Sequence, residues 1–308
     1  MFLLEPISKD YIWGGALLRE RFGKKGEGVV IAESWELSTH PDGLTLLKGS
    51  GESLRDYLKN NPAAGGSCVS ENGDLPILVK LIDAQNALSV QVHPDDAYAA
   101  KVGQRGKTEL WHILDAAPGA GIYLGVKESV SREKFKRHIA ENTVEQILRW
   151  VPVKAGESYY IPAGTLHAIG AGCLIYEVQQ SSNLTYRVYD YGRLGADGKP
   201  RQLHIEDPLA VSVLSHVDTT PLGENEEEGI IADCPYFNLR ELRVEKETPF
   251  SAPKGSFCHL LCQEGEIMAD DGENSHILLP GAGAFLDAGE KIVLRGNGKL
   301  LAVSGVFA

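Results

Sequence analysis

The 308-residue chain carries 42 Asp and Glu against 30 Lys and Arg, a net charge of −12. That balance argues against nucleic acid as partner, because nothing offsets phosphate repulsion over an extended surface. Its 43% hydrophobic and 23% charged residues are those of an ordinary globular protein, long enough for one large or two smaller domains, and 34 Gly with 15 Pro suit short strands joined by tight turns.

In chain order, MFLLEPISKD offers a short apolar run broken by Glu5 and Pro6 with no basic flank. No later stretch is long and apolar enough to span a membrane, so neither signal nor anchor is expected, and the expected compartment is the cytoplasm. Strands are expected over 29–37, 76–81 and 88–93. In LSVQVHPDD (88–96), alternation puts Gln91 and His93 on one face and Val90 and Val92 on the other. Asp95 then caps a turn of helix ending near Gly103. In GKTELWHIL (106–114), Lys107 and Glu109 share a strand face while His112 falls on the opposite one. Another strand covers 120–126. Helices are expected over 132–140 and 144–150, the second opened by Thr143 with Gln146 three residues on, a capping-box pattern.

The most specific stretch is GESYYIPAGTLHAIGAG (156–172). Strands over 157–161 and 166–170 flank a turn in which Pro162 fixes φ and Gly164 permits a conformation other residues resist, and His167 opens the return strand. This resembles the second signature motif of the cupins, small jelly-roll barrels that hold a metal, with Ala171 where Asn is usual. Strands over 173–179 and 185–189 follow, then a short helix from an Asp207–Pro208 N-cap pair to about Leu214.

The acidic LGENEEEG (222–229) reads as an exposed linker between a metal-binding unit, 1–221, and a second β unit, 230–308. Laid over GAGAFLDAGEKIVLRGN (281–297), the signature stretch aligns Gly156 with Gly281, Ala163 with Ala288 and Gly164 with Gly289. Asp287 replaces Pro162 and Ile292 replaces His167, so the C-terminal unit is expected to be a degenerate cupin-like domain without metal ligands. The fold class is therefore mainly all-β, a double cupin of jelly-roll barrels with a few short helices. Cys68, Cys173, Cys234, Cys258 and Cys262 form no CxxC pair and fit reduced, structural thiols.

Gln91, His93, Glu109 and His167 together supply two imidazoles, a carboxylate and an amide oxygen, a set suited to one Zn²⁺ and tolerable to Mn²⁺, Co²⁺ or Fe²⁺. With Trp13-Gly14-Gly15, ESWELS (33–38), LPILVKLIDA (75–84), EVQQSSNLTYRVYDYGR (177–193) and RQLHIED (201–207) added to these motifs, the chain resembles the short bacterial form of the type I phosphomannose isomerases. The resemblance implies zinc held by Gln91, His93, Glu109 and His167, a catalytic Arg187, and a sugar phosphate as substrate, mannose 6-phosphate exchanging with fructose 6-phosphate. Members commonly carry Asp where this chain has Asn183, which weakens any mechanism using that position as a base.

Aldose–ketose isomerisation moves hydrogen between adjacent carbons, and a metal stabilises the charge that develops on their oxygens. Lys107, Glu177 and a bound water are the candidates for moving the proton. Lys107 and Arg187 are the natural partners of sugar hydroxyls and phosphate. Trp13, beside two glycines, is placed at the substrate site, whereas Trp35, Trp111 and Trp150 read as core or rim aromatics. Without the resemblance, Glu177 and Arg187 would read as a surface ion pair. His204, His216, His259 and His276 lack local partners and read as structural or exposed. Two other readings stay open: a metal-dependent cupin oxygenase, because two His and one carboxylate also describe a non-haem iron triad, and a non-catalytic sugar-sensing cupin. The oligomeric state is not readable from these features.

Overall fold

The computed structural model describes residues 1–195, 198–223 and 229–306. In chain order the strands are β1 (Phe2–Glu5), β2 (Ile7–Lys9), β3 (Glu33–Leu37), β4 (Leu46–Leu47), β5 (Ile77–Ala84), β6 (Val90–Val92), β7 (Glu109–Ala116), β8 (Gly121–Val126), β9 (Leu148–Pro152) and β10 (Ser158–Ile161). They continue with β11 (His167–Ile169), β12 (Cys173–Gln180), β13 (Tyr186–Tyr189), β14 (Ile230–Asp233), β15 (Phe237–Ser251), β16 (Cys258–Asp270), β17 (Ser275–Leu278), β18 (Gly283–Leu286) and β19 (Lys291–Gly305). The helices are short: α1 (Leu17–Phe22), α2 (Leu54–Asn60), α3 (Asp96–Ala99), α4 (Arg132–Ala140) and α5 (Glu206–Val211). The expected β-rich architecture with few helices is what the chain adopts.

Three sheets organise it. A six-stranded sheet runs β10-β7-β12-β5-β3-β2, and a five-stranded sheet runs β13-β6-β11-β8-β9. One apolar cluster draws on both, with Ile82, Ile113, Tyr159 and Ile175 from the first and Ile122, Leu124 and Ile169 from the second. The five-stranded sheet buries Val90, Val92 and Val188 with Phe135 and Ile139 of α4. That pattern follows from α4 itself: Ser131 caps it by accepting from the Lys134 N–H, and its two large apolar residues lie four apart on one face. The six-stranded sheet buries Leu110, Leu174, Tyr176 and Val178 against Leu261, Phe285 and Val303 of the third sheet and Phe257 just ahead of β16. β5 is buried along its whole length, which explains its near-continuous apolar run.

The third sheet, β14-β15-β19-β16-β18-β1-β4 with β17 on β16, is built mostly from residues beyond 229. Two of its strands are not: β1 pairs with β18, Phe2 opposite Phe285, and β4 pairs with β1. The aligned glycines share a backbone state, with φ of +91° at Gly156 and +85° at Gly281, and +85° at Gly164 and +74° at Gly289. Ile292 lies near the start of β19, 3% exposed, in an apolar cluster with Val244, Leu260 and Leu294.

Several local expectations need correction. The segment 144–150 is a single 3-10 turn, Val144–Ile147, running into β9. Thr143 does not cap it; its hydroxyl meets His138 Nδ1 at 2.8 Å, and antiparallel pairing of β9 with β8 decides the conformation. Helix α5 begins at Glu206 and ends at Val211, so Asp207 lies inside it and accepts from the Tyr98 hydroxyl at 3.0 Å. The strand expected over 29–37 is confined to 33–37. Asp95 does cap α3, and the turn closes on a left-handed Gly103. Of the acidic stretch 222–229, residues 224–228 lie outside the described residues.

Candidate metal centre and active site

The turn before His167 is tied to His93, the residue that follows β6. Gly164, at φ +85°, donates its N–H to the His93 carbonyl at 2.8 Å. His167 then pairs across the sheet with Gln91, and Gln91 with Arg187, so three adjacent strands present these side chains on one face. Val90 and Val92 take the other face, as alternation requires. Glu109 enters from β7 of the opposing sheet.

His93, Glu109 and His167 are fully buried, and one potential ligand atom from each lies within 4.8 Å of the others. His167 Nε2 is 3.2 Å from Glu109 Oε1, and His93 Nε2 is 3.6 Å from Glu109 Oε2. Tetrahedral bonds of about 2.1 Å would place ligand atoms about 3.4 Å apart, so the spacing suits zinc. The tautomers suit it too. His93 Nδ1 lies 2.9 Å from the Leu184 carbonyl and His167 Nδ1 2.8 Å from the Thr165 carbonyl, contacts in which only the ring nitrogen can donate. Each Nε2 is left with a lone pair turned toward Glu109. Burial and the neighbouring Lys107 ammonium keep both rings neutral, His93 well below its ordinary pKa and His167 down to about 3.

Lys107 is where the shared strand face put it, 2.7 Å from Glu109 Oε2 and 3.1 Å from His93 Nε2. Lys107 ion-pairs with Glu109 Oε2, while Glu109 Oε1 and His167 Nε2 have no hydrogen-bond partner among the described residues, the condition expected of atoms that serve a metal. Burial raises Glu109 to about 7, with Lys107 opposing the shift.

Glu177 is no surface ion pair. A single register row crosses the sheet as Trp35, Lys80, Glu177 and Trp111, from β3, β5, β12 and β7. Trp111 Nε1 donates to Glu177 Oε1 at 3.0 Å, and Lys80 Nζ lies 3.2 Å from Oε2. Burial alone would raise the Glu177 pKa; Lys80 and Lys107 outweigh it and hold the carboxylate ionised, down to about 2. Burial likewise opposes the charge on Lys80, and Glu33 and Glu177 more than restore it. Glu33, at 3.6 Å from Lys80, is itself fixed by the Trp35 indole N–H at 2.7 Å.

Glu33, Lys80, Lys107, Trp111 and Glu177 line a cavity of about 350 Å³ that also takes in Trp13, Gln91, Asn183, Arg187 and Arg201, large enough for a small polar substrate. Arg187 donates through Nε to Ser89 Oγ at 3.1 Å. His204, expected without a partner, in fact holds the Arg187 backbone: its Nδ1 accepts the Arg187 N–H at 3.0 Å and its own N–H meets the Arg187 carbonyl at 2.8 Å. Asn183 donates to Asp42 Oδ2 at 2.7 Å. Arg201 is pinned by Asp190 through two bonds of 2.6 and 2.7 Å. His112 faces away and pairs with Ser158 Oγ at 2.9 Å.

A family model described as phosphomannose isomerase type I, catalytic domain, matches residues 1–113. A probable mannose-6-phosphate isomerase of Bacillus subtilis, GmuF, is 37% identical over 257 residues, covering 80% of this chain and 81% of that protein. The chain belongs to the type I phosphomannose isomerase family. The mannose-6-phosphate isomerase of Streptococcus mutans is 37% identical over 79% of this chain and 78% of its own length. The crystal structure of the mannose 6-phosphate isomerase from Bacillus subtilis, at 32% identity, superposes with a TM-score of 0.89 over 98% of both chains, so this family member has the cupin fold.

Lys80, Glu33, Ser89 and Arg201 were not singled out from the sequence, and Trp111, expected as a core or rim aromatic, is buried and also donates to Glu177. One signal was available for Lys80: it is the lone cation within the apolar run ILVKLIDA, and an unpaired lysine is almost never buried. Among the described residues no helix is long and apolar enough to cross a membrane.

Proposed function

We propose that this chain is a zinc-dependent aldose–ketose isomerase interconverting mannose 6-phosphate and fructose 6-phosphate. The observation that carries the reading is the buried His93–Glu109–His167 cluster, reached through Lys107 at 2.7 Å from Glu109, beside a cavity lined by Lys107, Glu177 and Arg187. Gln91, on the same face as His167, is assigned as a weaker fourth ligand. When bound, the metal supplies Lewis-acid stabilisation of charge developing on the sugar oxygens.

The protein's own groups do the rest. Glu177 is ionised and oriented by Trp111 and Lys80, so Oε2 is the atom assigned to take the proton from carbon. Lys107 Nζ is assigned to hold or return a proton at a sugar oxygen. Asn183 has no titratable proton and is assigned to binding alone. Arg187, fixed by Ser89, by His204 and by a 3.4 Å bond from Nη1 to the Gln202 carbonyl, lines the cavity and is assigned to hydroxyl or phosphate. Trp13, 4% exposed on the cavity wall, contributes apolar surface and excludes water. Residues 1–221 are read as the catalytic unit and 230–308 as structural, in a protein of the cytoplasm, where five free thiols persist.

The test is a coupled assay with mannose 6-phosphate before and after chelation, with zinc, manganese, cobalt and iron added back separately. Turnover lost on chelation and restored best by zinc supports the assignment. Undiminished turnover by metal-free protein would refute it.

A further inference from the structure

The turn that follows β12 supplies no ligand, yet its polar side chains reach both Glu109 and His93 through the chain beside them. Thr108 stands between Lys107 and Glu109. It donates its N–H to Gln180 Oε1 at 2.9 Å, and the Gln180 N–H returns to the Thr108 carbonyl at 3.0 Å. Gln180 Nε2 donates to both oxygens of Asp96, each at 3.1 Å, and Asp96 Oδ1 also accepts the Gly106 N–H at 2.8 Å. Lys107 donates its own N–H to the carbonyl of Pro94, the residue after His93, at 3.0 Å. The excursion through α3 therefore leaves and rejoins the cluster at one clamped point.

Ser182 serves the other half. Its hydroxyl donates to the Arg105 carbonyl at 2.8 Å and accepts the Leu184 N–H at 3.3 Å. Gln179 Nε2 holds the Ser182 carbonyl at 2.6 Å. Leu184 is thereby placed, and its carbonyl is the one that meets His93 Nδ1 at 2.9 Å. Gln179, Gln180, Ser182 and Thr108 are all buried.

The clamp has little room to shift. Gly106 is not at positive φ, so its backbone does not call for glycine; a Cβ there would fall 2.5 Å from the Asp96 nitrogen. A neutral hydrogen bond adds little net stability, and a buried network of them acts mainly by holding one arrangement. Here the bonds converge on residues 105–108 and 184, the chain that presents Glu109 and touches His93. We propose that Gln180 and Ser182 are positioning residues of the metal centre. Gln180, with Asp96, sets the segment that presents Lys107 and Glu109, and Ser182 sets the carbonyl that orients the His93 ring. Both roles rest on the zinc assignment above.

The full chain, stripped by chelation, is titrated with zinc against a chromophoric chelator. Gln180→Met keeps an unbranched side chain and strands the Thr108 N–H, so zinc affinity per folded molecule should fall by about 10–100-fold. Ser182→Ala removes one oxygen and should lower it by about tenfold. Rescue separates positioning from general weakening. Gln180→Glu alone sets a second carboxylate against Asp96 and should bind zinc weakly; with Asp96→Asn added, donor again faces acceptor and affinity should return. Ile292→Ala, which weakens the remote C-terminal cluster, should bind zinc as the wild type does. If Gln180→Met does not fold, Ser182→Ala and the exchanged pair carry the test. Wild-type affinity in Gln180→Met or in Ser182→Ala would overturn the role of that residue. No recovery in the exchanged pair, or an equal loss in Ile292→Ala, would overturn the proposal while leaving the metal site standing. A wild-type chain that holds no zinc would refute the metal assignment and the proposal with it.

Discussion

Lys107 Nζ sits 2.7 Å from Glu109 Oε2, two residues along the chain and just ahead of the same strand. A cation and a prospective metal ligand thus share one buried point, so the carboxylate is the ligand whose charge state the surroundings contest. That contest has a measurable outcome. Burial raises Glu109 to about 7, while burial and Lys107 hold His167 down to about 3 and His93 well below its ordinary value. The proton displaced by zinc near neutral pH should come from Glu109 and not from an imidazole. Apparent zinc affinity should therefore fall about tenfold per pH unit as pH drops below about 7, where the metal-free carboxyl is protonated. Calorimetry in buffers of different ionisation enthalpy would count that proton; an affinity flat from pH 5 to 8 contradicts the prediction.

His167→Ala removes the proposed nitrogen ligand, whose ring is fixed by the Thr165 carbonyl. Metal affinity should fall beyond the roughly 10–100-fold typical of losing an outer-sphere partner, and turnover should go with it. Gln91→Ala should cost less, because water can replace a neutral amide oxygen. Elemental analysis reads both; full occupancy in His167→Ala would remove it from the site.

Lys80→Met should move the acidic limb of the pH–rate profile upward by more than about one unit, since Lys80 is the principal charge holding Glu177 ionised. The sign is set by the direction of the wild-type shift: a depressed carboxylate pKa rises when its cation is removed. Glu177→Gln should lower kcat by about 10²–10⁴-fold with metal retained. A Glu177→Gln enzyme with normal kcat would pass the proton role to Lys107 or bound water.

Arg187→Lys keeps the charge and loses the fork that reaches Ser89. A fall in kcat/KM of at least about tenfold, or roughly 1.4 kcal/mol, is expected with metal content and Tm near wild type. If the loss is all in KM, Arg187 binds ground and transition states alike; if kcat falls equally, it acts on the transition state. Wild-type values for both would place it outside the reaction.

Ile292→Ala opens space in the C-terminal apolar cluster and should cost about 2–5 kcal/mol of stability. Specific activity of the folded fraction should hold. Collapse of activity without loss of stability would contradict a structural role for this region.

How much of this was legible depends on sequence distance. Period-two alternation was enough to pair Gln91 with His93 and Lys107 with Glu109, because the members of each pair lie two residues apart at the end of one strand. The Trp35–Lys80–Glu177–Trp111 row was not legible, because it exists only once four separated strands take their register. The capping pattern at Thr143 misled for a related reason: Leu148–Pro152 had a waiting partner in β8, and cross-strand pairing outweighed a local helix signal. Likewise His204 looked solitary because its partner, Arg187, becomes a neighbour only through the return of the chain after β13. The brief β1 and β4 and helices α1 and α2 gave too few residues for a period to show.

The pairing of Phe2 with Phe285 also sets an order of events during synthesis. β1 can meet β4 early, but its other neighbour, β18, is made roughly 280 residues later, so one of its two backbone edges waits unpaired through most of the chain's synthesis. A contact of such sequence separation is slow to close, and closing it comes late. The nascent chain can assemble the barrel that holds His93 and His167 well before that moment. Ribosome-bound chains stalled near residue 223 would then be the place to ask whether a metal can arrive before the last sheet is finished.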